Sequence, residues 1–109
     1  MLSYIKEVLF GEKARSPEWP KFRREFLKKN PTCAACGTKT KLEVHHILPF
    51  HVYPNLELSE NNCITLCNTG GGCHITFGHL QDWESWNIHV QEDAKNYLLR
   101  IQTRPFMRK

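Results

Sequence analysis

No stretch of this chain approaches the roughly 20 consecutive apolar residues that a bilayer-spanning helix needs. The opening run, Met1 to Phe10, has neither a long apolar core nor a cleavage site, so no secretory leader is expected. Internal repeats and low-complexity tracts are also missing. These absences remove membrane-spanning and repeat architectures. With 109 residues the chain has room for one small domain, 1–109, and little for a second core. Its apolar content of 40% is low for a well-buried globule, so a staple is expected. A soluble, cytoplasmic, reducing setting is the expectation, and there cysteines bind metal more often than they pair.

What the chain does have is cysteine and histidine. The five cysteines are an odd number, so a complete disulfide framework would leave one thiol over. Cys33 and Cys36 stand at the short spacing of a zinc pair. Cys67 and Cys73 make a second pair with a longer interval, made tolerable by the glycines at 70–72. Structural zinc (Zn2+) on Cys33, Cys36, Cys67 and Cys73 accounts for this spacing better than four ordinary buried cysteines do. Cys63, in an apolar run, is expected to be a buried free thiol.

Charge is unevenly placed around a net +4. Lys13, Arg15, Lys21, Arg23, Arg24, Lys28 and Lys29 stand against Glu18 and Glu25 alone. The tail adds Arg100, Arg104, Arg108 and Lys109, and the middle is net acidic. Basic ends suit a polyanion gripped at the periphery, and a solvated helix face with a basic tail fits equally well.

A leading helix is expected over residues 2–10, from Leu2, Ile5, Val8 and Leu9. Ser16-Pro17 has the form of an N-cap with proline at the first helical position. Trp19, Phe22, Phe26 and Leu27 form the apolar stripe of the helix that follows, and Asn30-Pro31 stops it. Cys33 to Gly37 is a tight knuckle. Lys41 to Leu48 alternates as a strand, Pro49 to Asn62 is a loop, and Cys63 to Leu66 is a second strand. His74 onward is expected to be helical, interrupted by Gly78. Asp82 to Trp86 is aromatic and expected to pack. Gln91 to Ile101 is a closing helix with Ala94, Tyr97, Leu98 and Ile101 on one face.

The run Leu42-Glu43-Val44-His45-His46-Ile47, then Asn62, Leu66-Cys67 and Cys73-His74, resembles the HNH endonuclease family. The upstream SPEWPKFRREFLKKNPTCAACG is similar to the lead-in of small, often phage-encoded members. The resemblance spans about residues 14–80. It implies an α+β fold: a ββα-metal core with a structural zinc knuckle pair, flanked by N-terminal and C-terminal helices. The helical lead-in would cover about 1–30, the zinc and ββα-metal core about 31–81, and a C-terminal helical segment about 82–109.

By the same resemblance, His46 is the general base and His45 holds one catalytic divalent ion (Mg2+, Mn2+ or Ni2+). Asn62 would bond across the loop and orient His46, and His74 would be a further ligand. His79, five residues beyond His74, would face away on a straight α-helix; Gly78 could correct that by breaking the helix. Glu43 shares the face of His45, as a supporting partner or as an exposed carboxylate. The lone histidines His51 and His89 read as surface or core residues, although His51 is near enough in sequence to line the cleft. The implied activity is hydrolysis of phosphodiester bonds in double-stranded DNA, with Lys21, Arg23, Arg24 and Lys28 on backbone phosphates. One such site cuts one strand, so double-strand cleavage would take a homodimer or two encounters. A zinc-ribbon binding module and a phage packaging accessory with its own partners are the competing readings.

Structural zinc can contribute on the order of 10 kcal/mol to folding, as much as the whole stability of a small domain. Cys33→Ala is therefore expected to unfold the chain, measured by circular dichroism. A folded, metal-free Cys33→Ala protein would contradict the zinc assignment.

Overall fold

The computed structural model describes residues 15–69 and 72–104. The expected helix at 2–10 lies outside them, as do Arg108 and Lys109. Helix α1 spans Trp19–Lys29, and strands β1 (Leu42–His46) and β2 (Cys63–Cys67) form an antiparallel pair. A π-helical turn covers His74–Gly78, and helix α2 closes the described chain at Val90–Thr103. This is a small α+β arrangement of a two-stranded sheet and helices. Among the described residues no helix is long and apolar enough to cross a membrane.

Helix α1 begins later than the proline suggested. The Ser16 hydroxyl accepts from the Glu18 amide at 3.1 Å, and the Ser16 carbonyl accepts from Trp19 at 2.9 Å. Ser16-Pro17 is thus a turn before the helix, Glu18 takes the N-cap position, and Pro20 lies in the first turn where no donor is lost. Only Phe26 of the apolar stripe is buried; Trp19, Phe22 and Leu27 are half-buried.

The two strands pair with His45 opposite Ile64 and His46 opposite Cys63. Every residue of β2 is buried. Even Thr65 is covered, because its hydroxyl donates to the Asn30 carbonyl at the end of α1. The knuckle hangs on the same strand, with the Ala34 amide donating to the Thr65 carbonyl at 2.9 Å. Gly37 takes a left-handed φ of 79°, the conformation that lets the knuckle close. The loop from Pro49 to Asn62 contains two short 3-10 turns, Pro54–Leu56 and Glu60–Asn62.

The core joins Cys33, Ala35, Ile47, Ile64, Leu66 and Cys67 to Val90 and Ala94 of α2. The outer end of α2 leaves it. Ile101 is 42% exposed and Tyr97 40%, so the expected apolar face is buried only toward its start. The closing helix is therefore held by about two turns, with Leu98 half-buried beside Gly37.

Leu66 is fully buried at the centre of this small core. Leu66→Ala is expected to cost about 2–5 kcal/mol, seen as a lower denaturation midpoint in urea. An unchanged midpoint would contradict the core described here.

Candidate metal centres

Two clusters of metal-ligating side chains lie on opposite sides of the Cys73–His74 step. In the first, the Sγ atoms of Cys33, Cys36, Cys67 and Cys73 all lie within 4.8 Å of one another. Cys36 Sγ is 3.6 Å from Cys67 Sγ. A disulfide would need about 2.05 Å, whereas sulfurs about 2.3 Å from a tetrahedral zinc stand about 3.8 Å apart. Cys33 and Cys67 are buried and Cys36 and Cys73 partly so. Burial works against a Cys67 thiolate, yet hydrogen bonds from Thr69 and from the Cys73 backbone bring its pKa down to about 6. The donor set and spacing can hold zinc. Cys63 stands apart from the cluster as a buried free thiol, and burial pushes its pKa up to about 12.

In the second cluster, nitrogens of His45, His74 and His79 converge. His45 Nδ1 is 3.0 Å from His74 Nε2, which is 3.3 Å from His79 Nε2. Two nitrogens about 2.1 Å from one cation, at or somewhat above a right angle, lie about 3.0–3.4 Å apart. The outer nitrogens fix the tautomers. His79 Nδ1 donates to the Ser85 carbonyl at 2.8 Å, and His74 Nδ1 donates to Asn68 Oδ1 at 3.2 Å. Both rings therefore turn a bare Nε2 lone pair inward. Burial, reinforced by the neighbouring imidazoles, lowers His45 to about 3; burial and then His79 lower His74 to about 4. Both are neutral at physiological pH, the form that binds a cation. His45 Nε2 is the one buried side-chain nitrogen or oxygen without a hydrogen-bond partner among the described residues. Lone pairs turned toward one another make poor structural packing; they suit a divalent ion.

The π turn explains the spacing of His74 and His79. Its wider coil brings a residue five positions on toward the same side, where an α-helix would not. The turn ends at Gly78, and the same glycine makes room. A Cβ there would lie 2.9–3.1 Å from three atoms of the His45 ring. Asn87 pins the turn: its side chain donates to the Phe77 carbonyl at 2.9 Å and its amide to the Gly78 carbonyl at 3.0 Å. The chain then leaves through Leu80 and Gln81, both at left-handed φ.

His46 departs from His45 in direction. Its ring packs 4.9 Å from Trp19, and Nε2 donates to the Glu57 carbonyl at 2.8 Å. A carbonyl can only accept, so Nε2 carries the proton and Nδ1 keeps its lone pair. Burial first, with the Arg15 charge also lowering it, holds its pKa below 6.5. Asn62 makes no hydrogen bond to His46. Its amide and the Leu48 backbone bond reciprocally at 2.9 and 3.0 Å, with a longer contact to the Leu56 carbonyl. Asn62 thereby ties Leu48 to the loop that presents Glu57.

His45, His46, His74 and His79 line one cavity of about 370 Å³, together with Arg15, Phe50, His51, Trp83 and Trp86. Arg15 was legible only as one of many basic residues. Its guanidinium lies 4.7 Å from the Trp19 ring and 4.8 Å from that of Phe50, and it pairs with buried Glu57 at 3.7 Å. Glu57 sits in a loop with no sequence signal, yet its carboxylate also accepts from the Ser16 amide. Trp83 packs only in part: its ring meets those of His74 and His79, yet the residue is 60% exposed. Among the basic residues of α1, Lys21, Arg24 and Lys28 are exposed. Arg23 is engaged, donating to Glu43 at 2.8 Å, so Glu43 is tied to α1.

Residues 33–79 match the family model of the HNH endonucleases. Over that segment, from the first cysteine to the third converging imidazole, the chain is similar to the HNH endonucleases, a family whose nucleases use divalent metals and act on nucleic acid. Comparison with curated proteins and with solved structures gave no match.

Gly78→Ala is expected to push the His45 ring out of the cluster. Titration with Mn2+ or Ni2+ should show at least about tenfold weaker binding at the histidines, with zinc content unchanged. Unaltered affinity would mean that the three imidazoles do not act together.

Proposed function

We propose that this chain is a metal-dependent endonuclease that hydrolyses phosphodiester bonds in double-stranded DNA. The observation that carries this reading is the convergence of His45, His74 and His79 on one point, in the same cavity as a separately oriented His46. A zinc-bearing binding module would use the four sulfurs and have no need of the three imidazoles. Strands β1 and β2 with the π turn would form the ββα-metal core, the lead-in preceding it and α2 following within one domain.

His45, His74 and His79 would hold one divalent cation, Mg2+, Mn2+ or Ni2+, and Cys33, Cys36, Cys67 and Cys73 a structural zinc. The bound cation supplies Lewis-acid stabilisation of charge on the phosphate and on the departing oxygen. His46 serves as general base: with Nε2–H committed to the Glu57 carbonyl, Nδ1 takes the proton from the attacking water. Neutrality at physiological pH, enforced by burial, keeps that lone pair available. Asn62 fixes the loop that holds Glu57 in place. Arg15, restrained by two aromatic rings and Glu57, offers a preset cation to a phosphate in the cavity. Lys21, Arg24 and Lys28 hold flanking phosphates without reading sequence, and Arg23 is held back by Glu43. A single site nicks one strand; cutting both takes a homodimer or two encounters.

A supercoiled-plasmid assay with Mg2+, Mn2+ or Ni2+ tests this directly. The parent is expected to nick, and His46→Ala to nick at least about 100-fold more slowly while keeping zinc, fold and DNA binding. Equal rates would remove His46 as the base.

A further inference from the structure

The reacting cavity has an aromatic wall that the hydrolytic chemistry does not need. The Trp83 ring centroid lies 5.2 Å from that of His74 and 4.8 Å from that of His79. The indole thus meets two of the converging imidazoles at steep angles, 84° and 53°, while 60% of the residue is open to solvent. Trp86 stands further along the same segment, edge-on to His51 at 6.2 Å, and Phe50 lines the same cavity with Arg15 against its ring. The volume of about 370 Å³ falls in the range of sites that enclose a small molecule.

A paired base cannot use this wall. In a duplex the bases stack on one another inside, and the phosphates that the imidazoles and Arg15 would meet lie outside. A ring this close to the metal-type cluster is within one nucleotide's length of the phosphate. It can meet a base only if that nucleotide has left the stack. Unstacking costs least where the base is mismatched, bulged or single-stranded, and an exposed aromatic ring returns part of the cost through base stacking without regard to sequence.

We propose that Trp83 is a specificity-determining residue that stacks the base of the nucleotide at the cleavage point, directing the site to unpaired or distorted positions in DNA. The inference rests on the nuclease reading for its orientation, since the phosphate is placed at the imidazoles. The wall faces the cavity through a fixed loop: the Ser85 carbonyl accepts from His79, and the Asp82 amide donates to the His79 carbonyl at 3.0 Å. The same contacts that set the His79 tautomer therefore set the height of the indole above the cluster.

The test separates binding from cutting. Binding of three labelled oligonucleotides (a single strand, a fully paired duplex and a duplex with a two-nucleotide bulge) is measured by anisotropy with Mg2+ in a His46→Ala background. Trp83→Ala and Trp83→Phe are each added to that background. The single strand and the bulge are expected to bind more tightly than the paired duplex. Trp83→Ala should lower that preference by about tenfold, and Trp83→Phe should keep most of it. Manganese affinity, read by titration, should stay unchanged in Trp83→Ala, which a purely structural role beneath His74 and His79 would not allow. Equal loss on all three oligonucleotides, no loss at all, or a preference for the paired duplex would overturn the proposal. Because binding is read without cleavage, a parent protein that binds in this pattern but never nicks refutes the nuclease reading and leaves the stacking role standing.

Discussion

The approach of four sulfurs is the constraint on which the rest of this small fold depends. Cys33 and Cys36 come from the knuckle after α1, Cys67 from the end of β2, and Cys73 from the residue before the π turn. Two of these sulfurs belong to the buried core itself. Four thiols packed this closely offer little hydrophobic gain, and as thiolates they would repel one another. A cation among them would turn both liabilities into a fixed junction. That junction brings three chain segments to one place. It sets where β2 ends, and through the strand pairing it sets β1; through Cys73 it sets where the π turn begins.

The histidine cluster is a consequence of that junction. His45 is delivered by a paired strand, whereas His74 and His79 are delivered by a turn of rare geometry. A π turn has weaker internal bonding than an α-helix and persists where its surroundings over-determine it. Here Asn87 bonds its carbonyls, and Gly78 lets the His45 ring enter where any side chain would collide. Another imidazole of the cavity, His46, is arranged independently. His46 is buried against Trp19 and held by the Glu57 backbone, while the Glu57 side chain holds Ser16 and Arg15. One loop residue thus links the lead-in, the cavity cation and the imidazole that would accept a proton.

Much of this was legible in the chain, for identifiable reasons. Alternation and β-branching located both strands to within a few residues, and cysteine spacing, short for Cys33 and Cys36 and longer for Cys67 and Cys73, picked out the four that cluster. The family resemblance drew attention to His74 and His79. What the sequence could not convey was their shared side. That depends on a turn wider than an α-helix, stabilised by Asn87 from outside the turn. Gly78 carries a helix-breaking signal in sequence, but its role is tertiary and concerns a ring 33 residues upstream. Arg23 looked like its basic neighbours until Glu43, on another element, claimed it. Trp83 is apolar by composition and so suggested packing; only the path of the loop leaves it open. In each case the missing information was a partner distant in sequence.

The most direct measurement of the central claim is anomalous diffraction from crystals of the zinc-loaded protein soaked in Mn2+, with data at the zinc and manganese edges. The account predicts a zinc peak enclosed by Cys33, Cys36, Cys67 and Cys73, and a separate manganese peak between His45, His74 and His79. A saturating soak that leaves the histidines without any peak, or zinc found away from the sulfurs, would contradict it.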